Sequence, residues 1–172
     1  MELLPPDLAA RITTDLRAHP DAMVLELARA HAVPELAVLG LIGAPRAVRL
    51  DAARWEELLR ALPALGDVRV IASNSGVTME CRGTFGGFSQ LGDWFNVQSA
   101  TLDLHLRWPA IGSVMALEKP SHLNRRPTAS IQLFDRDGHA ILKVFLLFGA
   151  GDDPEDDRRR AFTELRQRFA AA

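Results

Sequence analysis

The sequence has no tyrosine and only one cysteine, Cys81, among its 172 residues. A lone cysteine excludes an intrachain disulfide. No apolar run reaches the roughly 18 residues that a transmembrane helix needs, so no membrane insertion is predicted. The chain opens without a charged and then apolar leader, and the cytoplasm is therefore the expected location.

The motifs of several large enzyme classes are also missing. No P-loop, no G-x-G-x-x-G after a strand and no G-x-S-x-G elbow occurs, so nucleotide-dependent and hydrolytic chemistry are poorly supported. The histidines lack H-x-x-x-H and H-E-x-x-H spacing, and Cys81 has no partner thiol, which argues against a metal-ligand cluster. The five histidines are His19, His31, His105, His122 and His139.

The composition itself is that of an ordinary globular protein, with 48% apolar and 24% charged residues. We expect one α+β domain over residues 1–172. Its parts are a helical region at 1–65, an antiparallel sheet at 66–150 and a C-terminal helix at 151–172. The net charge of −2 argues against a general nucleic-acid binder.

Apolar residues at helical spacing predict helices across residues 7–62. Asp21 is placed to cap the second helix and Asp51 the fourth. The third helix is predicted at Glu35–Ile42, where the following Gly43 would end it.

From Asp67 onward the apolar period changes to two, which is typical of strands. Gly83–Gly92 indicates a loop or a bulged edge, Ile111–Lys119 fits either a strand or a short helix, and Ser121–Pro127 indicates a loop. A charged helix is predicted at Asp152–Phe169. The predicted strands are Val68–Ser73, Val77–Arg82, Asp93–Gln98, Thr101–Arg107, Thr128–Phe134 and Ala140–Phe148, the last two joined by a turn at Asp135, Asp137 and Gly138.

His105 is the histidine in the most informative position. Along Thr101–Arg107 the leucines alternate with Asp103, His105 and Arg107, so these three side chains share the polar face of an amphipathic strand. A ring nitrogen there can bind something outside the core, and the carboxylate of Asp103 can fix the tautomer. The competing interpretation is a solvated surface histidine, which is the commoner outcome for a lone histidine.

Two other features admit a functional and a structural interpretation. Val24–Ile42 has a helix–turn–helix pattern, but its second helix carries only Glu35 as a charged residue, which favours two core helices over DNA binding. Arg125 and Arg126 form a basic loop near Lys119, and this loop either binds carboxylates or is simply solvated.

Four segments occur in an order and spacing that resemble the ChuX/HutX family of cytosolic haem-utilisation proteins, which are related to the HemS/ChuS haem-binding proteins. They are FGGFSQLGDWFNV, TLDLHLRW, GSVMALEKPSHL and TASIQLFDRDGHAILKVFL. The resemblance covers roughly Leu65 to Phe169 and extends more loosely over the N-terminal helices. It implies N-terminal helices followed by a large, curved antiparallel sheet (a meander) and a C-terminal helix, in a homodimer that binds haem b non-covalently.

The resemblance implies a haem carrier that works in the cytoplasm or supplies a haem-degrading enzyme. It places His105 on the family's candidate iron ligand, and it places Ser73 where some members have a second histidine. Serine is a poor iron ligand, which leaves five-coordinate iron, a water, or a ligand from elsewhere. Candidate cations for the haem propionates are Arg107, Arg69, Arg125 and Arg126.

The residue inventory agrees with a histidine ligand. Haem iron is usually held by His, Cys, Met or Tyr; tyrosine is absent, and the strand pattern places Cys81 on a core-facing side. Two alternatives to a carrier remain: an enzyme that degrades or reduces haem or a tetrapyrrole product, and a regulatory module built on the N-terminal helices.

Overall fold

A computed structural model describes residues 4–147 and 156–171. Helices precede and follow the antiparallel strands along the chain. The helices are α1 Pro6–Ala18, α2 Val24–Ala30, α3 Glu35–Ile42, α4 Trp55–Ala61 and α5 Asp156–Phe169. The strands are β1 Ala47–Leu50, β2 Asp67–Ser73, β3 Thr78–Thr84, β4 Phe88–Leu91, β5 Trp94–Gln98, β6 Asp103–Arg107, β7 Ser113–Pro120, β8 Pro127–Phe134 and β9 Ala140–Leu146. The predicted order of N-terminal helices, antiparallel sheet and C-terminal helix is confirmed.

The strands form two sheets. The larger has six strands in the order β1-β7-β8-β9-β2-β3, and the smaller has three in the order β4-β5-β6. Every pairing is antiparallel. Strands β7, β8 and β9 follow one another as hairpins, whereas β2 joins β9 across a long stretch of sequence.

The two sheets and the helices bury two apolar clusters. Helices α1, α2 and α3 cover one face of the large sheet, where Ile12 and Leu39 pack with Met115 and Phe134. The opposite face packs against α4, α5 and the small sheet, with Leu59, Phe95, Ile131, Val144 and Phe162 among its members. One side of the small sheet therefore faces this core, and the other side is left for solvent.

Local signals placed α3 and the last hairpin correctly. Pro34 precedes α3 and Gly43, with a φ of 62°, ends it. In the hairpin turn, Asp135 Oδ1 accepts from the backbone N–H of Asp137 and of His139, at 3.0 and 2.8 Å. Gly138 has a φ of 87°, which glycine adopts at no steric cost.

Three segments that the sequence analysis predicted as helix, as loop or as ambiguous are strands in the structure. Ala47–Leu50 is a strand, not part of a helical region, because Val48 pairs with Ala116 of β7. Phe88–Leu91 is an edge strand of the small sheet, within the segment predicted as a loop or a bulged edge, and Phe88 packs 5.5 Å from Phe95. The segment Ile111–Lys119, predicted as either a strand or a short helix, is largely a strand, β7. The predicted end of the last strand at Phe148 and the start of the last helix at Asp152 lie outside the described residues.

The helix–turn–helix interpretation is not supported by the packing of its second helix. In α3 the buried residues are Glu35, Leu36, Ala37, Val38 and Leu39, which pack into the fold rather than face solvent. A recognition helix must expose a face to the major groove. Among the described residues, no helix has the length and apolar character needed to cross a membrane.

Candidate functional site

The first candidate residue, His105, lies on the solvent side of the small sheet. Strand β6 alternates as predicted: Leu106 is buried and Leu104 half-buried against the core, whereas Asp103, His105 and Arg107 are exposed. The His105 side chain is 55% exposed. The imidazole is therefore available at the surface and is not sealed in the interior.

A short hydrogen-bond chain orients the imidazole. His105 Nδ1 lies 2.7 Å from Asn96 Oδ1, and Asn96 Nδ2 donates to Ser89 Oγ at 3.0 Å. The strand register produces this row, because Asn96 pairs with both His105 and Ser89. Since Asn96 Nδ2 donates to Ser89, its Oδ1 accepts, and this assigns the proton of neutral His105 to Nδ1. The lone pair of Nε2 then faces outward.

Asp103 does not have the role that the sequence analysis gave it. Its Oδ1 lies 3.6 Å from His105 Nε2, on the ligand side of the ring, and accepts from Gln98 Nε2 at 3.3 Å. The tautomer is set instead by Asn96, which the sequence analysis did not single out. Alternation along β5 was enough to put Asn96 on the polar face, but its partner depends on the register between β5 and β6.

Apolar and cationic groups share this face with the imidazole. Leu91 and Trp94 are cross-strand partners and are 78% and 47% exposed. Arg107 pairs with Trp94 in the sheet, and its guanidinium lies 3.7 Å from the Asp93 carboxylate. We call the outward side of β4, β5 and β6 the His105 face; it combines an imidazole, two exposed apolar side chains and a guanidinium.

Arg69, a second candidate cation, lies on the large sheet. In β2 it alternates with Val68 and Val70, which are buried in the core, so Arg69 points to the opposite side. Its guanidinium lies 3.5 Å from Glu80 on the neighbouring strand. Arg69 and His105 thus both point away from the same core, and they do so from different sheets.

Ser73 ends β2 on the same side as Arg69. Its hydroxyl donates to Thr78 Oγ1 at 3.0 Å across the β2–β3 turn. Within the turn, Asn74 Oδ1 accepts from the backbone N–H of Gly76 at 2.8 Å. Ser73 is therefore part of a hydrogen-bonded hairpin end, on a different sheet from His105.

Arg125 and Arg126 lie in the loop between β7 and β8, beside the start of α2. Arg125 Nε lies 3.1 Å from Asp21 Oδ2, and Lys119 Nζ donates to the carbonyl oxygens of Asp21 and Pro120 at 3.1 and 2.6 Å. Burial lowers the pKa of Lys119 to about 8. Backbone hydrogen bonding, helped by Arg125, lowers the pKa of Asp21. Of the four candidate arginines, the structure brings only Arg107 to the His105 face.

The remaining sequence candidates are packing residues. Cys81 packs against the core as predicted. Trp108 stacks on Trp55 with ring centroids 5.7 Å apart, and its Nε1 donates to the Gly92 carbonyl at 3.3 Å. Within residues 4–147 and 156–171, no group of three His, Cys, Asp or Glu side chains is arranged to hold a bare metal ion.

Comparisons with known proteins find similarity to proteins that bind or use haem. A family model described as haem utilisation ChuX/HutX matches residues 48–165. A solved structure of the haem-binding protein ChuX is similar to this chain, with 19% identity and a TM-score of 0.79 over 91% of this chain and 97% of ChuX. A search of curated proteins finds no significant match.

Longer haem proteins contain the same fold. Apo-PhuS, a haem-binding protein from Pseudomonas aeruginosa, is 28% identical with a TM-score of 0.73, over 95% of this chain and 47% of PhuS. ChuS, an E. coli haem oxygenase, is 20% identical with a TM-score of 0.73, over 89% and 48%. The chain thus spans about half the length of each.

Proposed function

The chain belongs to the ChuX/HutX family of haem-utilisation proteins, and from this premise we propose that it binds haem b non-covalently and carries it within the cytoplasm. The observation that carries the proposal is the outward Nε2 of His105 on a face that also exposes Leu91, Trp94 and Arg107. A haem protein needs these three chemistries together: an iron ligand, an apolar wall and a cation.

The residues of the His105 face fit the chemistry of haem. When bound, haem supplies an iron with a coordination position for a neutral imidazole nitrogen, and two carboxylates. His105 would offer Nε2 to the iron, because Asn96 already occupies Nδ1. Leu91 and Trp94 would cover the ring, and the Arg107 guanidinium would bind a propionate.

A carrier role is supported by the openness of this face. The His105 side chain is more than half exposed, so a ligand held there lies outside the protein core. Release to a haem-degrading enzyme would need no opening of the core. We therefore propose such an enzyme as the recipient.

We further propose that the protein acts as a homodimer. A flat face binds a planar ligand on one side only and leaves the other side to water. Leu91 at 78% and Trp94 at 47% exposure are the large apolar side chains on this face, and exposed apolar groups of this kind typically lie at contacts. A second copy would cover them.

Titration of the purified protein with hemin tests the proposal. We expect a saturable Soret change with a fixed stoichiometry, and transfer of the bound hemin to added apomyoglobin. A linear absorbance rise equal to that of hemin in buffer would contradict haem binding.

The same sample separates a carrier from an enzyme. Hemin-loaded protein is mixed with a reductant in air and followed by absorbance and mass spectrometry. A carrier returns the porphyrin intact. Repeated conversion to an open-chain product would favour haem breakdown, the activity named for ChuS.

A further inference from the structure

A cavity in the helical layer lies away from the His105 face. It has a volume of about 400 Å³ and lies between the C-terminal turns of α1 and α3. Its apolar wall consists of Leu16, Pro20, Leu41 and Ile42, and Thr13 adds a hydroxyl to the same lining. This volume is at the lower end of the range of small-molecule sites in proteins, roughly 300–1,000 Å³. The cavity is on the sheet side that α1–α3 cover, whereas the small sheet packs against the opposite side.

Two exposed arginines flank this wall. Arg17 and Arg46 both line the cavity and are exposed. Within residues 4–147 and 156–171, neither guanidinium takes part in a hydrogen bond or an ion pair. Such pairs are common elsewhere on this surface, so two unpaired guanidiniums on one cavity indicate a site for an anion.

The carboxylates that neighbour these arginines in the sequence or in the sheet already have partners. Glu118, whose backbone N–H donates to the Arg46 carbonyl, has its Oε2 3.0 Å from Arg166 Nη1. Asp15 Oδ2 lies 2.7 Å from His31 Nε2, and Asp21 Oδ2 lies 3.1 Å from Arg125 Nε. These contacts connect the carboxylates to other elements rather than to Arg17 or Arg46. The positive charge of the cavity rim is therefore not neutralised from within the described chain.

The ends of the two helices weaken this charge without cancelling it. A helix C-terminus carries roughly half a negative charge, and its effect fades within the last turn. Two such ends oppose two full positive charges from Arg17 and Arg46. The rim remains net positive beside an apolar wall.

We propose that the α1–α3 cavity binds a small amphipathic carboxylate, with its alkyl chain on the apolar wall and its carboxylate between Arg17 and Arg46. Guanidinium groups pair with carboxylates in a planar, bidentate geometry, which favours this anion. The apolar wall favours an alkyl tail over a fully solvated anion. The site is independent of haem binding at His105.

Calorimetry with hexanoate, octanoate and decanoate tests the inference on the full chain. Each added methylene transfers about 0.8 kcal/mol of apolar surface from water, so we expect about fourfold tighter binding per methylene until the cavity is full. Octanol and octylamine have the same tail without the anion, and we expect both to bind at least about tenfold more weakly than octanoate.

Variants locate the site. We expect the Arg17→Met/Arg46→Met double variant to lose about tenfold or more in octanoate affinity, since each charged hydrogen bond contributes about 1.5–3 kcal/mol. Arg11→Met, on another face of α1, and His105→Ala should bind octanoate like the wild type. Equal affinity for octanoate and octanol, or an unchanged affinity in the double variant, would overturn the inference. Thermal unfolding of each variant without ligand checks that the helical layer is intact.

Discussion

At the scale of single residues, Asn96 determines which nitrogen of His105 faces outward. The Oδ1 of Asn96 accepts a hydrogen bond from Nδ1 of His105 at 2.7 Å, so Nε2 is left for a ligand. Partners of this kind fix the ring orientation and raise the basicity of a ligating histidine. Asn96 is a positioning residue in this account, and it acts through His105.

We expect Asn96→Ala to weaken hemin binding by about 10–100-fold, which is the usual cost of losing such a partner. Asn96→Asp retains an acceptor for Nδ1–H and should stay close to the wild type. Gln98→Ala, on the same face of β5, serves as the control. Absorbance titrations give the affinity and the Soret position. If Asn96→Ala matches Gln98→Ala in both, the hydrogen bond does not position the ring.

Lys119 should make the free energy of unfolding depend on pH in a range where this chain has no tyrosine to titrate. Burial lowers its pKa from 10.5 to about 8 in the folded protein. Between these values the unfolded chain binds a proton that the folded chain does not. The free energy of unfolding should therefore rise with pH across this window. Because the sequence has no tyrosine, no phenol titrates in the same range.

Urea unfolding at pH 7.5 and pH 10 measures this effect. We expect Lys119→Met to flatten the rise seen for the wild type, whatever its effect on absolute stability. A variant with the wild-type slope would contradict a depressed Lys119 pKa.

At the scale of elements, a buried ion pair joins α3 to β9. Lys143 Nζ donates to Glu35 Oε2, and these side chains are only 13% and 6% exposed. Glu35 begins α3, the helix that covers the sheet. Removing one partner of such a pair leaves an uncompensated charge in the interior.

We expect Lys143→Met to lower the free energy of unfolding by about 3–5 kcal/mol. Glu164→Ala breaks an exposed contact between Arg160 and Glu164 in α5, where the atoms are 3.9 Å apart, and should cost at most about 0.5 kcal/mol. Urea denaturation compares the two. Similar losses would mean that the buried pair contributes no more than a surface pair.

Elements with local signals could be predicted from the sequence, and those that depend on partners could not. Pro34 and Gly43 bound α3, and Asp135 and Gly138 define the last turn, all within a few residues. Strand β1 has only four residues and exists because β7 lies beside it. Strand β4 is flanked by glycines, which weaken its strand pattern in the sequence, and its position depends on the packing of Phe88 on the core.

At the scale of the whole molecule, strand order places candidate arginines that looked equivalent in the sequence on different sheets. His105 and Arg107 were predictable as neighbours, because alternation along one strand is a local property. Arg69 belongs to β2, which pairs with β9 over a long sequence separation, and that pairing places it on another sheet. A single sequence carries no signal for pairing between distant strands. It therefore could not predict which of the candidate arginines lie on the same sheet as His105.

The proposed dimer predicts a specific sensitivity to charge. Leu91→Glu places a carboxylate on the His105 face and should weaken self-association by at least about tenfold, because a buried unpaired charge is costly. Leu123→Glu makes the same change at a residue of similar exposure, 76% against 78%, in the β7–β8 loop. Sedimentation velocity with and without hemin compares the two variants. A wild-type monomer, or equal effects of both changes, would remove this interface.

The most direct test is the hemin titration of His105→Ala beside His139→Ala, a change at an exposed histidine in the β8–β9 turn. We predict at least about tenfold weaker binding and a shifted Soret band for His105→Ala alone, and recovery of the wild-type band when imidazole is added. The same affinity and spectrum in both variants would show that His105 does not bind the iron.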